Sequence, residues 1–274
     1  MVLPDISVII TTKNEERHIA QCLQSVKEQE YPQEHIEIIV VDNHSTDRTV
    51  AIAGEYTEHV HICGPERSAQ RNYGVEHAIG KYVLYLDADM TLSPGVISEC
   101  VEECEREHFI ALYIPEVIIG TGFWIAVRNF ERSFYNATCI DGVRFVSRSQ
   151  FRENGGFDLT LFGGEDWDFD RRLADRGPFG IITAPLYHNE GSFAPLRYLR
   201  KKAYYAPSIG AYIFKWGKDD PVIRKQLGIS YRYFGVFTER GKWKRLLAHP
   251  VLAAGMYLLR VLVGLVYIQR TFRN

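Results

Sequence analysis

The chain has 274 residues, of which 46% are hydrophobic and 24% are charged. This balance is typical of a globular protein and excludes a disordered or low-complexity chain. The formal net charge of -2 conceals a strong polarity, because residues 1–196 carry a net charge of -15 and residues 197–274 carry +13. This asymmetry predicts a body that can hold cations and a tail that binds an anionic surface.

The first 108 residues alternate between short apolar runs and amphipathic segments. Strands are predicted at residues 6–10, 36–41, 59–63 and 82–86, and helices at residues 14–29, 45–56, 68–79 and 93–108. This alternation indicates an α/β fold whose parallel sheet has helices on both faces. From residue 109 the pattern becomes irregular, and we expect a mixed second half. Ligands of such sheets bind beyond the carboxyl ends of the strands.

Acidic residues follow three of the predicted strands. Glu15 comes after the first strand, Asp42 after the second, and Asp87 and Asp89 after the fourth. Parallel strands bring these carboxylates to one edge, where they repel one another unless a cation is present. Asp87 and Asp89 point to the same side of an extended segment, and their oxygens suit Mg²⁺ or Mn²⁺ with phosphate as a further ligand. Asp is also common at strand ends, so this pattern alone leaves the metal site open.

Four motifs occur in order along this region: VIITTKNEE, IIVVDNHSTDRT, ERSAQRNYG and YVLYLDAD. In order and spacing they closely resemble the motifs of the family 2 glycosyltransferases, and the resemblance covers roughly residues 5–190. It implies the GT-A fold, in which a Rossmann-like nucleotide-binding half and a mixed-sheet acceptor half form one continuous domain. We therefore predict a GT-A domain over residues 1–196 and a basic, aromatic-rich helical extension over residues 197–274.

The resemblance also implies a set of residues that hold the sugar nucleotide. The nucleoside is assigned to residues that follow the first two strands: Thr11, Lys13 or Asn14, Glu15 and Asp42. Arg71, in the Arg-Asn element of the third motif, is expected to approach the nucleotide or its phosphates. The alternative for Arg71 is an ordinary arginine on a helix surface.

A divalent metal, Mn²⁺ or Mg²⁺, is implied as the cofactor that bridges the donor diphosphate. The family's Asp-x-Asp motif corresponds to Asp87 and Asp89, with Asp89 as the more direct ligand and Asp87 also close to the nucleotide. His188 follows a predicted strand at residues 180–184, where relatives of this fold place a histidine or an acid that completes the metal shell. We therefore predict that His188 contacts the metal or the diphosphate.

A second acidic cluster, FGGEDWDFD, occupies residues 162–170. It resembles the Glu-Asp motif of inverting family members, in which the second acid removes a proton from the acceptor hydroxyl. By this resemblance Asp166 is the general base, and Glu165 binds the acceptor or orients the loop. Asp168 and Asp170 are predicted to be solvated helix charges.

These assignments predict an inverting, metal-dependent glycosyltransferase. UDP-sugars are the favoured donors and GDP-mannose is the rival, while the acceptor is a hydroxyl of a lipid-linked or membrane-proximal glycan. A polyprenyl phosphate acceptor and a catalytically silent membrane-binding module remain as alternatives. A nucleotidyltransferase is disfavoured, because residues 11–16 lack the glycines of a phosphate-binding loop.

The basic tail ends in an apolar segment in which Arg260 is the only charge between residues 251 and 268. We predict an anchor helix at about residues 246–269. Its weakly polar residues form one helical stripe: Tyr257, Arg260, Gly264, Tyr267 and Thr271. Such a helix can lie in a membrane interface or pack its stripe on protein. We favour a monotopic or re-entrant anchor, with a spanning helix and a helix buried in the fold or in a homodimer as alternatives.

The expected location is the cytoplasmic side of the cell membrane, with peripheral or monotopic attachment. An odd count of five cysteines without a C-x-x-C pair predicts reduced thiols. The apolar run at residues 6–10 is too short for a signal peptide. Basic residues interleaved with aromatics also occur in nucleic-acid-binding proteins, but the apolar helix that follows favours an anionic membrane surface as the partner.

Overall fold

The computed structural model describes residues 3–271. The strands are β1 (Ile6–Thr12), β2 (Ile36–Asp42), β3 (Val60–Ile62), β4 (Tyr82–Asp87), β5 (Met90–Leu92), β6 (Ala111–Tyr113), β7 (Glu116–Thr121), β8 (Phe145–Ser147), β9 (Phe179–Ile181) and β10 (Leu186–Ser192). The helices are α1 (Ile19–Lys27), α2 (Thr49–Ala53), α3 (Arg67–His77), α4 (Val96–Glu107), α5 (Phe123–Arg132), α6 (Arg148–Glu153), α7 (Glu165–Ala174), α8 (Pro195–Trp216), α9 (Pro221–Leu227), α10 (Val236–Thr238), α11 (Trp243–Ala248) and α12 (Pro250–Thr271). The order of the elements confirms the predicted α/β class.

Seven strands form the main sheet in the order β3-β2-β1-β4-β8-β6-β9. The first four in this order run parallel, whereas β8 is antiparallel to both β4 and β6. The parallel half corresponds to the regular strand–helix alternation in the sequence, and the reversed strand β8 accounts for the irregular pattern after residue 109. A smaller sheet has the order β5-β10-β7.

Both faces of the central parallel strands β1 and β4 are buried, which is why apolar residues predominate in them. On one face Val8 and Ile10 pack with Leu23 of α1 and Ile97 of α4. On the other face Ile9 packs in a separate core. Alternate side chains of one strand thus enter opposite cores, as the period of two requires.

Helices α1 and α2 are shorter than predicted, because the residues before each of them form interacting loops. The backbone N–H of Asn14 donates to the Ser45 hydroxyl at 2.7 Å, and the N–H of Glu15 donates to Thr49 Oγ1 at 2.8 Å. Asn14 adopts φ 55°, which is outside the helical region. Cross-loop hydrogen bonds therefore replace the first helical turn that periodicity suggests at residues 14–18.

The chain divides into two compact units, and neither unit is one continuous stretch of the sequence. Within the described residues, the first unit contains residues 3–116 together with Gly142–His188, and the second contains Val117–Asp141 together with residues 189–271. The basic extension thus folds with an insertion that contains α5. Charge composition does not reveal this, because α5 lies far away in the sequence.

Within the second unit, α12 contacts α5 and α8. A Cβ on Gly255 would lie 2.8 Å from Val127, so the two helices approach closely at this glycine. Arg260 donates to the Glu131 carboxylate at 2.6 Å and also bonds to the Tyr135 hydroxyl. The polar stripe therefore packs on protein at Arg260, whereas the side chains of Tyr267 and Thr271 lie outside the described residues.

A spanning helix is one of the alternatives that the sequence leaves open for the anchor. No helix within residues 3–271 combines the length and the apolar character needed to cross a bilayer.

Candidate active site

The pairing register brings the predicted donor residues to one edge of the main sheet. Thr11 pairs with Asp87 across β1 and β4, and Thr12 pairs with Asp42 across β1 and β2. The buried hydroxyl of Thr11 donates to Asp87 Oδ1 at 3.0 Å. The carboxyl ends of these strands therefore meet, as parallel βαβ connections require.

The residues assigned to the nucleoside line two neighbouring loops. The buried carboxylate of Asp42 accepts hydrogen bonds from the N–H of Ser45, at 2.7 Å, and from its hydroxyl. Asn14 Oδ1 accepts from the N–H of Thr46 at 2.8 Å, and the carboxylate of Glu15 contacts the His18 ring at 2.7 Å. Lys13 is exposed. Asp42 and Asn14 thus shape the loops, whereas Lys13 projects into solvent.

Two arginines of α3 tie Asp87 to the second acidic cluster. Arg67 contacts Asp87 Oδ2 at 3.4 Å and Glu165 Oε1 at 3.2 Å. Arg71, one helical turn later, contacts Asp87 Oδ1 at 3.4 Å and Asp166 Oδ1 at 2.7 Å. Residues four apart share a helix face, so both guanidinium groups reach the same two acidic segments. Positive charge thus neutralises the carboxylates that the sequence assembles here.

Arg71 is buried, although the sequence suggested a residue open to the nucleotide. Its side chain is 1% exposed. Its guanidinium carbon lies 5.0 Å from the Tyr85 ring centroid and 5.1 Å from that of Phe157, within the range of cation–π attraction. Burial acts to lower the pKa of Arg71, but the carboxylates of Asp166 and Asp87 outweigh it and raise this pKa.

The second acidic cluster opens α7. Gly164 precedes the helix with φ 83°, a conformation that side chains rarely adopt, and Glu165 and Asp166 form the first turn. Glu165 is buried, and burial together with the charge of Asp166 raises its pKa. Asp166 is 38% exposed. The two adjacent acids therefore differ, because one faces the interior and the other faces solvent.

The prediction that Asp168 and Asp170 are solvated charges is wrong. Both are buried. Asp168 pairs with Arg172 at 2.9 Å, and Asp170 accepts a hydrogen bond from the N–H of Val143 at 3.1 Å. They lie on the inward face of α7, which a local sequence pattern rich in charge does not reveal.

His188 lies on β10 and pairs with Met90 of the antiparallel strand β5. Its Nε2 lies 3.3 Å from Asp89 Oδ2, and its Nδ1 lies 2.9 Å from Glu116 Oε1. Burial acts to lower the pKa of His188, but hydrogen bonds to Asp89 and Glu116 raise it to about 10. The structure thus brings His188 together with Asp89, as the sequence suggested.

The three residues predicted as metal ligands are not assembled as one set. Within residues 3–271 no three His, Cys, Asp or Glu side chains converge in a way that holds a metal. The carboxylate of Asp87 faces arginines, whereas Asp89 Oδ1 is buried and has no hydrogen-bond partner in this part of the chain. A buried carboxylate oxygen without a hydrogen-bond partner, beside the His188 imidazole, fits a ligand of Mn²⁺ or Mg²⁺ when donor phosphates supply further ligands.

Sequence reasoning missed Arg67 and Glu116. Arg67 lies inside the quoted motif ERSAQRNYG, four residues before Arg71, so helical spacing was a usable signal. Glu116 lies 72 residues before His188, and no local pattern connects the two.

Three comparisons relate the chain to known proteins. The sequence profile of Glycosyl transferase family 2 matches residues 7–157. The dolichyl N-acetyl-alpha-D-glucosaminyl phosphate 3-beta-D-2,3-diacetamido-2,3-dideoxy-beta-D-glucuronosyltransferase of Methanococcus voltae is 26% identical over 215 residues, covering 66% of this chain and 64% of that protein. The chain spans less than two thirds of the length of the first curated relatives it matches.

Solved structures establish the fold. The mannosyltransferase PcManGT from Pyrobaculum calidifontis, in complex with GDP-Man and Mn²⁺, matches with a TM-score of 0.64 and 20% identity over 99% of this chain and 87% of that one. S. aureus TarS 1-349 in complex with UDP-GlcNAc matches with a TM-score of 0.58 and 18% identity over 97% and 90% of the two chains. The GT-A fold predicted from the motifs is thereby confirmed, and the chain belongs to glycosyl transferase family 2.

Proposed function

We propose that this chain is an inverting glycosyltransferase in which Asp166 is the general base. It transfers a sugar from a nucleotide-diphosphate sugar to a hydroxyl of a lipid-linked or membrane-proximal glycan. The observation that carries the proposal is the arginine-bridged pair of acidic segments, Asp87 on one side and Glu165–Asp166 on the other. This arrangement holds a half-exposed carboxylate close to the strand end assigned to the donor.

The reaction is a single displacement. The acceptor oxygen forms a bond to the anomeric carbon while its proton passes to the carboxylate of Asp166. The bond between the anomeric carbon and the diphosphate oxygen breaks on the opposite face, and its electron pair leaves with the nucleoside diphosphate. Attack from the opposite face inverts the anomeric centre. Glu165 is buried and bonded to Arg67, which suits a residue that orients the loop.

The donor lies at the carboxyl ends of β1, β2 and β4. Thr11, Asp42 and the loop residues Lys13, Asn14 and Glu15 are assigned to the nucleoside side of this site. One related structure contains UDP-GlcNAc and another contains GDP-Man. They support a nucleotide-diphosphate sugar as the donor, and they leave the identity of its nucleotide base open. UDP-sugars remain our favoured donors and GDP-mannose remains the rival.

The proposed cofactor is Mn²⁺ or Mg²⁺. Asp89 and His188 would hold it, and Asp87 lies two positions before Asp89, the more direct ligand. When bound, the ion supplies positive charge that stabilises the departing diphosphate. The buried oxygen Asp89 Oδ1, which has no hydrogen-bond partner among the described residues, and the Mn²⁺ in the related mannosyltransferase structure support this assignment.

Surface features of the second unit support a membrane-proximal acceptor. Between Val251 and Val266 of α12 the exposed residues recur every three or four positions and are all apolar: Val251, Ala254, Leu258, Val261 and Leu265. We name these five residues the apolar stripe. The basic residues Lys244 and Arg245 on α11 are exposed. The apolar stripe, together with these exposed basic residues, fits the interface of an anionic bilayer.

Vesicle binding tests this membrane surface. The double variant Leu258→Ser/Leu265→Ser should sediment less with phosphatidylglycerol vesicles than the parent chain, and binding of the parent should weaken in high salt. Ile79→Ser is the matched control, because Ile79 is 70% exposed but lies in the first unit. Equal sedimentation of the double variant and the parent would contradict membrane docking. A salt-resistant dimer that the double variant abolishes would instead favour the homodimer.

Turnover tests the enzymatic proposal. Nucleoside diphosphate release is measured with UDP- and GDP-sugars, with Mn²⁺ and with EDTA, in the presence of glycolipid acceptors. We expect EDTA to abolish release, and Asp166→Asn to lower kcat by about 10²- to 10⁴-fold. Asp175→Asn is the matched control, because Asp175 is an exposed acid at the other end of α7.

The alternatives predict different outcomes of the same assay. A polyprenyl phosphate acceptor needs little base assistance, so full activity of Asp166→Asn with such an acceptor would favour that alternative. Binding of vesicles without turnover on any donor would favour the silent module.

A further inference from the structure

Arg71 combines two features that a simple donor ligand does not need. It is buried, and both of its terminal nitrogens already contact carboxylates, Asp166 at 2.7 Å and Asp87 at 3.4 Å. The rings of Tyr85 and Phe157 lie beside its guanidinium group. Its orientation is therefore set by packing as well as by charge.

Asp166 is restrained from two directions. Arg71 Nη1 holds Oδ1, and the backbone of Gly142 passes close to the Asp166 side chain, since a Cβ on Gly142 would lie 3.1 Å from the Asp166 Cβ and 3.7 Å from Oδ2. Within residues 3–271 the second oxygen, Oδ2, has no hydrogen-bond partner. Because Oδ1 is fixed by Arg71 and Oδ2 is unpaired, the carboxylate can accept a proton at Oδ2 in a defined orientation.

We infer that Arg71 is a positioning residue, which fixes the proposed base Asp166 relative to Asp87 at the donor edge. This inference rests on the proposed function, because it assigns Arg71 a role through Asp166. A planar guanidinium with a fork of donors can join two carboxylates at a set separation, whereas an ammonium group presents one point of charge. The side chain acts on catalysis without touching the donor.

Arg67 provides an internal comparison. It lies one turn earlier on α3, also bridges Asp87 to the acidic cluster, but ends on Glu165 and is 35% exposed. Of the two arginines, Arg67 is thus the one accessible to the phosphates of a bound nucleotide.

The test separates nucleotide affinity from turnover in Arg71→Lys and Arg67→Lys. For Arg71→Lys we expect kcat to fall by about 10²-fold, since a base displaced by about 1 Å loses this much. The Kd of UDP or GDP with Mn²⁺, measured by calorimetry, should change less than about twofold. Arg67→Lys should weaken nucleotide binding more than Arg71→Lys does.

A double-mutant cycle tests whether Arg71 acts through Asp166. In the Asp166→Asn background, Arg71→Lys should change the residual kcat by less than about twofold, because the group it positions has already been removed. Thermal unfolding checks that each variant is folded. Gly142→Ala displaces the same carboxylate without altering Arg71, and it should also lower kcat with little change in nucleotide Kd.

The inference is overturned if Arg71→Lys lowers nucleotide affinity in parallel with kcat, or if its effect on kcat persists in full without Asp166. The inference is also contradicted if Arg71→Lys does not fold and the kcat of Gly142→Ala equals that of the parent chain. These results differ from failure of the proposed function, in which the parent chain itself transfers no sugar from any donor.

Discussion

Each of the two compact units contains a buried arginine that pairs with carboxylates, but the two clusters differ in access to solvent. Arg71 in the first unit is paired with Asp166, which is 38% exposed, and with Asp87, which is 17% exposed. Arg260 in the second unit is 9% exposed and is paired with Glu131, which is 6% exposed. In the first cluster, which we call the open cluster, the carboxylates reach solvent. In the second, which we call the closed cluster, both the arginine and the carboxylate are buried.

The closed cluster is extensive. Glu131 also pairs with Arg128 at 3.0 Å, and Arg128 pairs with Glu190 at 2.9 Å. Arg260 bonds in addition to the Tyr135 hydroxyl and to the carbonyl of Arg232. Each of these charged side chains pairs with another protein group, and the pair Arg260–Glu131 joins α12 to α5 of the second unit. The open cluster leaves the carboxylate of Asp166 accessible, and such access is what we expect of the proposed reactive site rather than of a structural one.

The largest expected effect is on the closed cluster. Arg260→Met leaves Glu131 buried with one cation fewer, and breaking a buried pair in this way lowers the free energy of unfolding by about 3–5 kcal/mol. Denaturant unfolding measures the loss, and turnover per folded molecule should remain unchanged. Lys244→Met is the control, because Lys244 is exposed in the same unit. A loss below about 1 kcal/mol would mean that the cluster is not closed.

A smaller loss of stability is expected at the open cluster. Arg71→Met removes a buried cation, but water can reach Asp166, so the free energy of unfolding should fall by only about 1–3 kcal/mol. Turnover should fall far more than stability, which is the reverse of the Arg260→Met result. Parallel denaturant and turnover measurements on both variants check this contrast. Equal stability losses at the two sites would remove the distinction between them.

The smallest expected effect is on the pH dependence of the free energy of unfolding. Burial acts to raise the pKa of Glu131, but Arg128 and Arg260 outweigh it and lower the pKa in the folded state. A lowered folded pKa means that this group stabilises the fold above its unfolded value of about 4.3, and that this stability is lost as the pH falls through the folded value. The difference between the free energies of unfolding at pH 7 and at pH 4 should therefore be smaller in Glu131→Gln than in the parent chain. An unchanged pH dependence would contradict the role of Glu131.

Much of the site was predictable because it follows strand ends. Asp42 and Asp87 directly end apolar strands, and parallel pairing then fixes their common edge. The four motifs and the Glu165–Asp166 pair led to the family, which the profile over residues 7–157 confirms. The partners of these residues were less accessible, since Arg71 and Asp166 are 95 residues apart.

The sequence by itself determined the alternation of strands and helices, the carboxylates at the sheet edge and the contrast of charge between body and tail. Periodicity and composition are local properties, and they suffice for these features. Only the tertiary structure decided that Arg71 is buried against Asp166, that Asp168 is internal, and that Arg260 meets Glu131 rather than lipid. Ion pairs between distant segments depend on which faces pack together, and neither spacing nor charge count specifies that packing.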